Sequence, residues 1–106
     1  MKVYLGSDHA GFEMKEMLRH FLSANDYEVV DKGPFEYNET DDYPDFVKLV
    51  AREVAKDKEA KGIVIGKSGQ GEAMCANRLK GVRAAVYYGH EPEILKLPRE
   101  HNDANV

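Results

Sequence analysis

Short segments rich in Val, Ile, Tyr and Ala alternate with helical apolar stripes along the chain, and no other feature narrows the possible fold so far. Lys2–Leu5, Tyr27–Val30, Gly62–Ile65 and Val82–Tyr87 read as strands. Gly62–Ile65 is a continuous apolar run, the pattern of a strand buried on both faces of a parallel sheet. Between the strands, Met14, Met17, Leu18, Phe21 and Leu22 recur every three or four residues and form one stripe on a first helix. Phe46, Val47, Val50, Ala51, Val54 and Ala55 repeat that pattern on a second. Asp42 stands at its N-cap, and Pro44 falls in the first turn, where a missing N–H costs nothing. A third helix is predicted from about Gln70 to Leu79, and a fourth near Glu91–Leu97, stopped by Pro98. Ala104–Val106 reads as the start of a fifth strand. This alternation predicts an α/β fold of right-handed βαβ units, an open parallel sheet covered by helices on both faces. Ligands bind such sheets outside the carboxyl ends of the strands, in the loops that lead into helices.

Composition bounds what those loops serve. With 106 residues, 42% of them hydrophobic, the chain builds one core and is expected to be a single domain over residues 1–106. It carries 15 basic against 19 acidic residues, a net charge of -4, which argues against nucleic acid or an anionic membrane as partner. Cys75 is the sole cysteine, so neither an intrachain disulfide nor a cysteine zinc site is expected. The histidines at 9, 20, 90 and 101 lack metal-ligand spacing, and no metal is expected. The N-terminus lacks the basic-then-apolar layout of a signal peptide, which makes a cytoplasmic protein the expectation.

The loop Gly66-Lys67-Ser68-Gly69-Gln70-Gly71-Glu72 is the most informative segment. Three glycines let successive backbone N–H groups converge on one anion at a helix start. A P-loop requires a glycine where Lys61 stands, and a dinucleotide fingerprint requires a small residue where Met74 stands, so both are rejected. Glu72 has two readings: a first-turn carboxylate stabilised by the helix dipole, or a general base beside an oxyanion cradle. In Gly6-Ser7-Asp8-His9-Ala10-Gly11, either Ser7 or Asp8 simply caps the first helix, or Asp8 and His9 face a ligand. Arg99 to Asn105 is turn and capping chemistry, or else His101 is a general acid. Tyr43 packs or faces the same carboxyl edge. His20 reads as a surface residue, His90 as a solvated loop residue and Cys75 as small buried packing.

Four stretches together resemble the B-type ribose-5-phosphate isomerases, the family that includes the galactose-6-phosphate isomerase subunits. They are Gly6 to Phe12, Asp42-Tyr43-Pro44-Asp45, Gly66 to Glu72 with Ala76-Asn77, and His101 to Val106. The resemblance covers essentially the whole chain, in order. It implies a Rossmann-like sheet and interconversion of aldose and ketose phosphates through an enediolate, without metal or organic cofactor. It implies a homodimer or homotetramer whose sites draw residues from two subunits. One branch of the family takes its base from a cysteine directly after the third strand, where this chain has Gly66; a second places a glutamate at the end of the glycine loop, which Glu72 matches. The implied roles are Glu72 as base, Ser68 with the backbone of Gly69, Gln70 and Gly71 as oxyanion cradle, and His101 as the ring-opening group. Asp8, His9, Tyr43 and Asn102 would bind the sugar, with Lys67 a further candidate contact, and His101 and Asn102 would serve the neighbouring subunit. The resemblance also implies a longer domain, cut here at the fifth strand before a last helix and the phosphate-binding arginines. The alternative is an inactive or partial member that binds a sugar phosphate.

Overall fold

Tyr4 and its neighbours show how the sheet is built. In the computed structural model, which describes residues 1–87, 89 and 92–106, β1 (Lys2–Ser7) lies between β2 (Glu28–Asp31) and β3 (Lys61–Ile65), all parallel. Leu5 pairs with Asp31 on one side and Ile63 on the other. A single 3-10 turn (His9–Gly11) leads into α1 (Phe12–Ala24); α2 (Tyr43–Lys56), α3 (Gln70–Ala76) and α4 (Glu93–Asn102) follow. Side chains alternate along a strand, so Tyr4 meets Val50 and Val54 of α2, with Val30 and Val64 packed against them. Val47, Ala51, Ala76 and Val82 continue that layer under α3. On the other face, Ile63 and Ile65 line a groove with Met14 and Leu18 of α1. Helices therefore cover both faces of a Rossmann-like parallel sheet.

The second helix follows its pattern: Val47, Val50, Ala51 and Val54 are buried and Pro44 sits in the first turn. Asp42 does occupy the N-cap, but its carboxylate caps nothing; its carbonyl accepts the Asp45 N–H at 3.3 Å. The first helix departs further. Met14, Met17 and Phe21 remain 51%, 66% and 61% exposed, and the fully buried residue is Lys15. Its ammonium donates to Asp31 at 2.7 Å and Glu16 at 2.9 Å and lies over the Phe12 ring. That ion pair orients α1, and the apolar stripe is left half open.

The C-terminal third corrects four expectations. The third helix ends at Ala76, not Leu79. The Asn77 amide turns instead to the backbone of Ala84, accepting its N–H at 2.7 Å and donating to its carbonyl at 3.0 Å. Val82–Tyr87 is not a strand. Asn105 holds it, accepting the Arg83 N–H at 2.8 Å, and the Ala85 N–H donates to the Val106 carbonyl at 3.0 Å. The Gly62 N–H donates to the Asn105 carbonyl at 2.9 Å, so residues 105–106 lie between β3 and the 83–85 segment. Ala104–Val106 is likewise not a strand. The fourth helix runs through Pro98 to Asn102, because a proline removes one ladder bond without ending every turn around it. Asp103, at φ 54°, ends it instead. Tyr88, His90 and Glu91, with the expected start of that helix, lie outside the described residues.

Candidate active site

Because Ser7 pairs in register with Ile65, β1 and β3 release their loops side by side at one edge of the sheet. The two loops also touch: a Cβ at Gly11 would come within 2.7 Å of Ile65 Cγ2. Every site built from them depends on this parallel pairing, not on sequence proximity.

In the second loop the chain turns at Gly69, whose φ of +78° is a conformation that favours glycine. Ser68, exposed, accepts the Gln70 N–H on its hydroxyl at 3.2 Å, and the Gly69 carbonyl accepts from Ala73 at 3.0 Å to open α3. Glu72 then lies in the first turn but does not face solvent. It is 4% exposed, and its carboxylate folds back onto Gly66, filling the space that a side chain at 66 would need. Its first-turn position is compatible with stabilisation by the helix dipole, and its burial brings the carboxylate to the end of β3. Tyr43, at the start of α2, reaches the same loop: a Cβ on Gly71 would come 2.7 Å from its hydroxyl oxygen. Two missing side chains thus bring a carboxylate and a phenol against one short loop. Lys67 and Gln70 are exposed on its outer side.

In the first loop, Asp8 is buried and caps the 3-10 turn, accepting from Ala10 at 3.0 Å and Gly11 at 3.3 Å. Ser7 is fully buried. His9 is held by a residue outside the expected set. Asp41 Oδ1 accepts both the His9 backbone N–H and Nδ1, each at 2.9 Å. This hydrogen bond, opposed by partial burial and reinforced by the charges of Asp8, Asp41 and Glu39, raises the His9 pKa above that of a free imidazole. Asp41 gave no sequence signal of its own: it stands 32 residues away in an irregular acidic stretch.

The remaining candidates are not gathered here. His101 and Asn102 are exposed in the last turn of α4 and make no side-chain hydrogen bond to either loop among the described residues. His20 is exposed, as expected, and Cys75 packs on the Val47–Ala76 cluster but is only partly buried.

An open α/β sheet with polar residues gathered where its central strands end is the architecture of a protein that handles a small ligand. The sequence matches the Ribose/Galactose Isomerase family over residues 3–106, and the chain belongs to that family. It is 42% identical to ribose-5-phosphate isomerase B of Mycolicibacterium paratuberculosis, over all of this chain and 65% of that one. Its likeness to the Escherichia coli enzyme of that name is 39%, over 99% of this chain and 68% of that one. The crystal structure of ribose-5-phosphate isomerase B from Mycoplasma genitalium with bound ribulose-5-phosphate superposes with a TM-score of 0.93 at 39% identity, covering 99% of this chain and 68% of that one. The Clostridium thermocellum structure gives 0.89 at 44% identity, covering 99% and 69%. The chain thus spans about 65% of the length of the M. paratuberculosis relative.

Proposed function

We propose that this chain carries the proton-transfer half of a sugar-phosphate isomerase site, interconverting ribose 5-phosphate and ribulose 5-phosphate with Glu72 as base. The observation that supports it most is the position of the Glu72 carboxylate, buried against Gly66 at the end of β3 beside the glycine turn and Tyr43. In the forward direction Glu72 takes the proton from C2 of the open-chain aldose. The C2–H electrons form the C1=C2 bond, and the carbonyl pair moves to O1. Backbone N–H groups of Gly69, Gln70 and Gly71, with Ser68, stabilise that oxyanion. The protonated Glu72 then delivers the proton to C1 while the proton on O2 passes to O1, leaving the ketone at C2. Tyr43, Asp8 and His9 hold the sugar, with Lys67 at the rim. His101 opens the ring and Asn102 binds the substrate, both in the neighbouring subunit's site of a homodimer or homotetramer. The same reading makes this a cytoplasmic enzyme that uses neither metal nor organic cofactor. The mycoplasmal relative, which holds ribulose-5-phosphate, supports the choice of substrate.

Turnover of ribose 5-phosphate by the wild-type chain and by Glu72→Gln tests the assignment. The variant keeps the side-chain volume, so the fold is expected to remain while turnover falls at least about 100-fold; retained turnover removes Glu72 as the base. A second reading, a sugar-phosphate-binding subunit without turnover of its own, is favoured by the exposed position of His101 and Asn102. Assaying the chain alone and mixed with a full-length relative separates the two, since activity alone excludes the second.

A further inference from the structure

The pairing of Asp41 with His9 is a designed contact that the catalytic assignment leaves unused. Asp41 belongs to the irregular segment before α2, His9 to the turn after β1, and they meet at the carboxyl edge of the sheet. One carboxylate oxygen takes both protons that His9 offers on that side, from the backbone and from Nδ1, each at 2.9 Å. The carboxylate side chain is 8% exposed, whereas the His9 ring keeps 34% of its surface open. Asp41 Oδ2 is buried with no hydrogen-bond partner among the described residues. A buried carboxylate with one oxygen unsatisfied needs the donors that reach the other. The Tyr37 ring stands edge-on to that of His9, the centroids 6.3 Å apart. With Nδ1 engaged, Nε2 is the ring nitrogen left for a ligand, and its tautomer and direction are set by the bond at the opposite atom.

We propose that Asp41 is a positioning residue for substrate binding, holding the His9 ring by Nδ1 so that Nε2 is the donor offered to the sugar phosphate. The proposal rests on the isomerase reading for the identity of its ligand. The groups facing His9 are Asp8 on its own loop, Asp41 and Glu39 on the segment before α2, and the Tyr37 ring. The three carboxylates all favour the imidazolium, in which both ring nitrogens donate. An anion at Nε2 then receives a charge-assisted hydrogen bond, stronger than one from a neutral ring. The sign for pH follows: this binding contribution is complete below the His9 pKa and is lost as pH rises through it.

Asp41→Asn tests this, because the amide oxygen still accepts the same two hydrogen bonds but carries no charge. The His9 titration is followed by NMR in the wild-type chain and in the variant, and the His9 signals are followed as ribose 5-phosphate is added. The expected results are a downward move of the His9 midpoint and a KM for ribose 5-phosphate raised about tenfold, with kcat reduced by a smaller factor. Adding Asp41→Asn to His9→Gln should raise KM no further, since Asp41 acts only through the ring. An unmoved midpoint, an unchanged KM in a variant whose midpoint has moved, or His9 signals that ignore the sugar phosphate each overturn the proposal. Wild-type chain whose His9 signals respond to ribose 5-phosphate without turnover overturns the isomerase reading instead. In that case the same comparison is made on binding affinity, where equal affinity in Asp41→Asn overturns this proposal.

Discussion

Glu72 and Gly66 are complementary at the scale of single atoms. The carboxylate lies where a side chain at 66 would begin, so a Cβ there and the present Glu72 rotamer exclude each other. In the branch of the family that uses a cysteine after the third strand, the thiol would grow from this same point; here a glutamate six positions later arrives at it from the helix. Gly66→Ala is therefore a sharp probe. The end of a flexible side chain moves aside at modest cost to the fold, but a base displaced by about 1 Å loses on the order of 100-fold in rate. The expected outcome is a thermal midpoint close to wild type with turnover of ribose 5-phosphate nearly gone. A variant that keeps its turnover shows that Glu72 does not act from the position seen. That the glycine loop turns tightly into a helix was legible in the sequence, since glycine spacing is a local property. That its glycines also make room for Glu72 and Tyr43 was not, because room is defined by what packs against a residue.

Among the elements, α1 shows how one buried charge outweighs an apolar pattern. Its stripe predicted the helix correctly, yet three of the five stripe residues stay largely exposed while Lys15 is sealed between Asp31 and Glu16. Asp31 in turn accepts the Gly33 N–H at 2.8 Å, and the Gly33 carbonyl accepts the Ser7 N–H at 3.1 Å, so the pair also ties the end of β2 to the start of the first site loop. Glu16 is held acidic, its pKa lowered to about 2 by hydrogen bonds from Arg19 and then Lys15. Its contribution to stability is present above the ordinary carboxylate range and is lost as pH falls toward that value. Replacing Lys15 by Met leaves Asp31 without its closest cation, and removing one member of a buried pair costs about 3 kcal/mol or more. Urea unfolding at neutral pH checks this: the midpoint should fall with an unchanged slope, and a midpoint like that of wild type would show that the pair contributes nothing net. Beyond β3, the side-chain amides of Asn77 and Asn105 join the backbone bonds between Arg83, Ala85 and residues 105–106 in holding a segment whose composition is strand-like but which is not a regular strand.

For the whole molecule, the question is where His101 and Asn102 act, since a single chain leaves them exposed at the end of α4. If each site combines Glu72 of one chain with His101 of another, mixing inactive Glu72→Gln with inactive His101→Asn produces hybrids holding one intact site. Re-equilibrated mixtures of such dimers should then recover about a quarter of wild-type turnover, half of the pairs being hybrid with one site of two restored; no recovery would place His101 outside a shared site. By itself the sequence determined the α/β alternation, the second helix and its buried face, and the carboxyl edge as the place to look for a site. It also identified the glycine loop and Glu72 as candidates. Each of these follows from local periodicity or from the conformations a residue allows. Only the tertiary structure decided that Lys15 turns α1, that Glu72 folds onto Gly66, and that Asp41 holds His9 from 32 positions away. Those contacts join residues through packing and charge across the sheet, where position along the chain carries no information about distance.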